Sequence, residues 1–439
     1  MQRSSPLPAV ALPSVRVVAL PSSVRFALRL FFALTGVCVV TELFCHFVLR
    51  LHFPYDWPFP PHENRFCDFT VFAERFRLFH SPAFFAKLAV PSFSYPPAAA
   101  AALSVFYLSA RPLGLYVATM VLCFALAAVV FGRVLLRRGL SVRSTIATVL
   151  FFALSYPLLL DMQQGNCEWI VWVVLTGGLL GFVTERPAIA ATLLGLAAAI
   201  KLYPIILFGL FFTRRQYRWI GVGVASCVLA SVGSMWLESG SIALSWAGTL
   251  DGLIDLHRGF VFHYMHFWDH SLFEFFKAAI SLWHPRALTP AASQNLERIY
   301  LLVMGIGGLI LFFTRIRQMP LLNQILALCT ACVLLPPMSM DYTIIQLFLP
   351  CALLILAALR HAKSGSGASI PGLRAALLLM ACLFAPTTEL TLYGHTISSA
   401  VHTIALIALF VISVRYPFEA ANLVIQQQPG DVVEPALAA

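Results

Sequence analysis

The sequence predicts an all-α fold, a polytopic transmembrane helix bundle, on three observations. The chain has 439 residues, of which 60% are hydrophobic and only 11% charged, too apolar for a soluble protein of this length. Runs of about 18 or more residues with almost no charge recur along it, each long enough to cross a hydrocarbon layer about 30 Å thick as a helix. These runs do not alternate polar and apolar as barrel strands do. In lipid their backbone groups must pair within the segment, which makes them helices.

In chain order the expected spans are 26–48, 95–110, 112–132, 144–162, 167–183, 187–212, 217–237, 298–314, 320–336, 341–359, 372–387 and 395–414, about twelve in all. The first, Phe26 to Val48, is too long for a signal-peptide core and reads as an uncleaved span. Two long connectors rich in aromatic residues interrupt the series, at about 49–94 and 238–297. Residues 1–24, rich in Ser, Pro and Arg, read as a disordered tail, 25–414 as one transmembrane domain and 415–439 as a second disordered tail. Lys363-Ser364-Gly365-Ser366-Gly367 reads as a flexible connector.

The net charge of +10 sits mostly in short connectors. That is the pattern of membrane topology and lipid headgroups, not of nucleic-acid binding. Arg3, Arg16 and Arg25, Arg214-Arg215 with Arg218, Arg315 with Arg317, and Arg360 with Lys363 mark a cytoplasmic face. The expectation is a multi-pass plasma-membrane protein with both termini cytoplasmic and both long connectors outside. Arg137-Arg138 and Arg143 then fall outside, an exception in which they can bind lipid phosphates. Of ten cysteines, most lie in apolar runs as small hydrophobes. Cys67 and Cys167 stand near candidate site residues.

Polar groups in or beside the membrane are expensive and tend to be functional. Asp68 follows the first span closely, ahead of an interfacial helix over 69–80. It is either that helix's N-cap or a base at the membrane surface. Tyr95-Pro96-Pro97 suits the first turn of a helix or a rigid wall over the bundle. Gln163-Gln164-Gly165-Asn166, with Asp161 and Glu168, is either a tight turn or a phosphate and sugar contact. Lys201, three residues before Pro204, lies halfway through an apolar run. It either pairs with Asp161 or Glu168 or binds an anionic headgroup. Asp341 and Tyr342, after Pro336-Pro337, cap a helix or join Asp68. His257, His263, His266 and His270 crowd the second connector. His263, His266 and His270 share one helical face, which is a metal-binding spacing or an interfacial one.

These motifs occur in one order that resembles glycosyltransferase family 87, within the GT-C superfamily of polyprenol-linked sugar transferases. The resemblance covers roughly residues 60 to 360. It is carried by Cys67-Asp68-Phe69, Tyr95-Pro96-Pro97, Lys201 with Pro204 and Arg214-Arg215, His270-Ser271-Leu272-Phe273, and Ser339, Asp341 and Tyr342. The family's Gly-Gln-x-Asn element stands here in altered order as Gln164-Gly165-Asn166. The resemblance implies a GT-C-like bundle whose large first outer loop carries interfacial helices. It implies transfer of a hexose, mannose first, from a polyprenyl-phosphate donor to a glycan, glycolipid or protein acceptor at the outer face.

Asp68 then serves as general base, and one base opposite the leaving group implies inversion. Lys201, Gln164, Asn166, Arg137 and Arg138 are expected at the donor phosphate and sugar. Asp341, Tyr342, Tyr95 and His270 are expected around the acceptor. No nucleotide-binding glycine motif and no paired acidic motif demanding a metal occurs, so no cofactor is expected. The rival class is a transporter or flippase of lipid-linked sugars, against which the two halves show no repeat.

Overall fold

The computed structural model describes residues 19–51, 65–85, 93–262, 268–284, 288–364, 370–387, 391–392 and 395–418. Most of both expected tails, Gly365 to Gly367, His263 and His266 lie outside them. Apart from the two-residue pair Thr391–Leu392 with His395–Thr396, the regular elements are helices.

In chain order these are α1 (Ser22–Leu43, prolonged over Phe44–Val48), α2 (Cys67–Thr70), α3 (Ala73–Phe76), α4 (Pro97–Tyr107), α5 (Pro112–Arg137) and α6 (Val142–Ala153). Next come α7 (Tyr156–Gln164), α8 (Glu168–Val183), α9 (Pro187–Ile200), α10 (Gly209–Thr213), α11 (Tyr217–Ser239) and α12 (Ile242–Leu256). The last are α13 (Leu272–Trp283), α14 (Pro290–Thr314), α15 (Leu321–Leu334), α16 (Phe348–Lys363), α17 (Leu373–Phe384) and α18 (Ile397–Arg415). Prolines in the first turns of α4, α5, α7, α9 and α14 sit where a missing N–H has no consequence.

Among the described residues six helices, Ser22–Val48, Pro112–Arg137, Tyr217–Ser239, Pro290–Gln318, Asp341–Lys363 and Ile397–Arg415, are long and apolar enough to cross a membrane. A seventh is formed if α6 and α7, bent by 44°, count as one span. Their outward faces carry unpaired apolar side chains, Leu229 at 72% exposure and Val40 at 68% among them. A continuous apolar exterior of this kind is covered by a bilayer, not by water.

The expectation of twelve crossings needs two corrections. The run 95–110 forms α4, only 11 residues long, and both its ends touch the Asp68 segment. Tyr95 shares a hydrogen-bond partner with Asp68, and the Tyr107 hydroxyl donates to the Phe69 carbonyl. The helix therefore starts and finishes at one end of the bundle. The run 187–212 is also not one crossing. α9 stops at Lys201, whose backbone is extended (φ −141°, ψ 135°), and a 3-10 turn over Tyr203–Phe208 follows. The chain then doubles back. Phe211 packs on Phe182, at the end of α8, with ring centres 5.1 Å apart, and Arg214 stacks on the same ring at 4.6 Å. Residues 187–213 thus make a re-entrant helical hairpin with Lys201 at its tip. Pro204 supplies no N–H to continue α9, and an ammonium in hydrocarbon is stable only beside polar partners.

The two corrections cancel in parity, and this removes the topological exception. Tyr116, in the second turn of α5, donates to the Asn166 carbonyl, and the helix runs on away from it. Arg137 stands about 30 Å further along the helix. Arg137, Arg138 and Arg143 therefore lie at the end opposite Asp68. Arg214, Arg315 and Arg374 occupy that end too. Arg315 bonds the Val414 and Arg415 carbonyls, and Arg374 stacks on Phe26 at the start of α1.

The expected outer connectors are more structured than loops. Residues 238–297 contain α12 and α13. The expected interfacial helix over 69–80 is broken into α2 and α3. Its Phe69, Phe72 and Phe76 are buried among Phe93, Tyr107 and Tyr116 instead of facing lipid. The hairpin itself packs at backbone distance: a Cβ at Gly195 of α9 would come within 2.2 Å of the Gly223 carbonyl on α11.

Candidate active site

Two chain reversals bring the site together. The first is the end of α7, where Gly165 takes the left-handed conformation (φ +71°) that stops the helix. The second is Phe66, also left-handed, whose N–H donates to the Gln163 carbonyl at 2.7 Å. The two turns interlock. A Cβ on Gly165 would lie 3.0 Å from the Phe69 Cβ and 3.1 Å from the Phe66 Cα. Gly165→Ala therefore strains the backbone and crowds α2 at once. It is expected to lower stability by about 1–3 kcal/mol and to reduce activity beyond what the lost folded fraction explains. Thermal unfolding and specific activity of the same preparation check this; equal loss in both would show that α2 does not shift.

Asn166 is the hub. Its Nδ2 lies 2.6 Å from Asp68 Oδ2, 2.8 Å from the Tyr95 hydroxyl and 3.1 Å from the Tyr342 hydroxyl. Its Oδ1 accepts from the Glu168 N–H and from Lys201 Nζ, each at 3.1 Å. Lys201 also meets Glu168 Oε2 at 2.6 Å, which settles the choice between Asp161 and Glu168 as its partner. The fully buried Glu168 takes further hydrogen bonds from the Tyr203 hydroxyl and, at 2.6 Å, from Gln346 Nε2. Lys201 stands 5.8 Å from the Tyr95 ring centre and 5.3 Å from that of Tyr342, within cation–π range.

Asp68 is half-buried, and removal from water is the main influence on its carboxyl, raising it above the usual carboxylate range. The Asn166 amide and the Lys201 ammonium pull the other way. Burial pushes the neighbouring Cys67 thiol up to about 12. It therefore stays protonated and donates to Gln164 Oε1 at 2.9 Å.

Asp68, Tyr95, Lys201 and Tyr342 line one cavity of about 1380 Å³. Beyond them the walls are almost wholly apolar. They run past Ile206 and Phe212 of the hairpin, Leu301 to Phe313 of α14, and Leu328 of α15 to Ile316. From Leu301 to Ile316 that passage is about 22 Å long.

Not every expected residue reaches the cavity. Gln164 and Asn166 stand behind its wall and position Cys67 and Asp68. Asp341 and His270 are fully buried behind Tyr342, with His270 Nδ1 2.8 Å from Asp341 Oδ1. A carboxylate can only accept, so Nδ1 carries the proton; burial keeps this imidazole below its ordinary range. Arg137 and Arg138 lie at the opposite end of α5 and are not brought to the cavity. Sequence reading missed Tyr203 and Gln346 as partners of Glu168. It also missed His402, whose Nδ1 lies 3.1 Å from Asp341 Oδ1.

A carboxylate facing a lysine at the head of a deep apolar passage, in a helix bundle clad in exposed hydrophobes, is the arrangement of a membrane enzyme. The chain belongs to glycosyltransferase family 87, whose sequence model matches residues 93–340, more than half of it. It is therefore a membrane glycosyltransferase. The matched stretch includes Tyr95, Asn166 and Lys201, while Asp68 precedes it and His402 follows it. No curated protein and no solved structure matches the chain.

Proposed function

We propose that the chain transfers a hexose, mannose first, from a polyprenyl-phosphate donor to a glycan, glycolipid or protein acceptor on the outer face of the plasma membrane, with Asp68 as general base. The observation that carries this reading is the single cavity in which Asp68 and Lys201 share a polar head above an apolar passage about 22 Å long. A lipid-linked donor has the same shape: an anionic phosphate on a long hydrocarbon chain. Lys201 has three N–H groups. Glu168 and Asn166 take two of them, leaving one for the phosphate of the departing lipid. Tyr95 and Tyr342 offer hydroxyls and ring faces to a sugar. Asp68 removes the acceptor hydroxyl's proton as that oxygen attacks the anomeric carbon. The sugar–phosphate bond breaks on the other side with its electron pair on the phosphate, so the anomeric configuration inverts.

The orientation is supported by charge. Arg137, Arg138, Arg143, Arg186, Arg214 and Arg215 gather at the end away from Asp68, together with Arg315, Arg317 and Arg360. The positive-inside rule supports reading that end as cytoplasmic, with both described ends of the bundle inside and Asp68 outside. The donor's own chemistry requires no metal at this site. A half-buried carboxylate beside a lysine at the head of the cavity supports transfer over the rival reading of a flippase, whose work needs no base.

The test is reconstitution in liposomes with polyprenyl-phosphate mannose, its glucose counterpart and nucleotide-linked mannose as donors. Transfer from a polyprenyl-phosphate sugar alone, with inverted product, is the expected result. Transfer from the nucleotide sugar, or lipid movement without a new glycosidic bond, would overturn the proposal.

A further inference from the structure

We propose that His402 is a positioning residue for the transfer, acting through Asp341 on the cavity wall; this rests on the cavity of Asp68 and Tyr342 being the transfer site. Ser339, Met340, Tyr342 and Thr343 all line the cavity. Asp341, between them, is turned the other way and fully buried. Its Oδ1 meets two imidazoles, His270 Nδ1 at 2.8 Å and His402 Nδ1 at 3.1 Å.

Those imidazoles come from separate elements. His270 follows the second connector, and its backbone is stitched to the wall: its N–H donates to the Ser339 carbonyl at 2.9 Å, and the Asp341 N–H donates to the Trp268 carbonyl at 2.7 Å. His402 lies on α18, outside the stretch that matches the family. α18 holds the same assembly a second time, since Thr403 Oγ1 donates to the His270 carbonyl at 2.9 Å. The far side of the His402 ring packs against Tyr156 of α7, with ring centres 5.8 Å apart.

A buried carboxylate is a costly way to fill space, because it must be compensated by hydrogen bonds or opposite charge. What it adds over a leucine is direction: the His270 hydrogen bond and the His402 imidazole 3.1 Å away, both on one oxygen, fix how residue 341 is rotated. Residues 341–347 form a 3-10 turn, in which successive side chains are about 120° apart. Fixing Asp341 therefore sets Tyr342 about 120° further round, on the cavity side. There the Tyr342 hydroxyl lies 3.1 Å from Asn166 Nδ2, the same nitrogen that holds Asp68 at 2.6 Å. The chain of contact runs from α18 through Asp341, Tyr342 and Asn166 to the base, and His402 itself does not line the cavity.

His402→Asn keeps an N–H near the position of Nδ1; His402→Gln puts its amide near Nε2; His402→Phe keeps ring volume with no donor. With Tyr342→Phe as a second site, kcat and donor KM are measured in nanodiscs. His402→Phe is expected to lower kcat about tenfold with donor KM within about twofold, and to add less than about twofold in the Tyr342→Phe background, as for residues acting in one network. Asn is expected to restore most of the rate and Gln not. Multiplying effects of His402→Phe and Tyr342→Phe, or equal rates for Asn and Gln, would overturn the proposal. If His402→Phe does not fold, the Asn and Gln comparison decides. A cryo-EM structure of His402→Gln needs no donor. The Tyr342 hydroxyl leaving Asn166 supports the role, and its staying in place sinks it. Should the wild type use no polyprenyl-phosphate sugar at all, the donor reading falls while this structure still judges His402.

Discussion

Asp68→Asn is expected to lower turnover by about 10²- to 10⁴-fold, the usual contribution of a positioned general base. Asparagine keeps the shape of the side chain and can still pair with Asn166 after an amide flip, so the folded amount and donor affinity should stay near those of the wild type. The wild-type rate should also fall as pH drops, because the base works only when ionised. Burial raises the Asp68 carboxyl, so this acid limb should lie above the ordinary carboxylate range. The same shift has a sign for stability. Asp68 binds its proton more tightly folded than unfolded, so its contribution is fully present below the unfolded value and is lost as pH rises through the folded one. A pH–rate profile of reconstituted enzyme with matched unfolding curves checks both. A variant retaining more than a tenth of the wild-type rate would remove Asp68 from the base role.

Lys201→Met should be the most destabilising change at the site. It leaves Glu168, at 0% side-chain exposure, without its cation, and breaking a buried pair on one side costs about 3–5 kcal/mol. The Tyr203 and Gln346 hydrogen bonds remain, so the loss should fall short of collapse. Adding Glu168→Gln removes the stranded charge and is expected to restore most of the stability but none of the activity, since no cation is left for the phosphate. Thermal unfolding in detergent and turnover in liposomes separate the two effects. Equal destabilisation by the single and double variants would show that the charge pair is not what holds the hairpin tip.

The membrane class and the cluster of polar motifs were legible in the sequence because both depend on local chemistry. Uninterrupted apolar runs can only be helices in lipid, and the runs singled out are mostly helical in the structure, though 144–162 and 187–212 are broken. What the sequence hid was direction. An apolar run of 26 residues reads alike whether it crosses or folds back, and only the proximity of Phe211 to Phe182 reveals the hairpin at Lys201. Tyr95, Asn166, Lys201 and Tyr342 were each found as isolated polar residues, and their convergence on Asp68 was not derivable from spacing. His402 lacked even that signal. It lies in an apolar helix, with no charged neighbour in sequence, and its partner Asp341 is 61 positions away in the chain. Arg137 and Arg138 were drawn toward the phosphate by charge alone, and helix length carries them to the other end.

The re-entrant hairpin has a consequence for where the chemistry happens. On the proposed orientation α9, with 14 residues, lifts its terminal cation about 21 Å from the cytoplasmic rim, roughly two thirds of the way through the hydrocarbon. On the proposed reading, a donor whose phosphate meets that cation is drawn below the headgroup plane, and its glycosyl bond is parted from bulk water before it is cleaved. The depth of a short helix would then guard the activated sugar against hydrolysis.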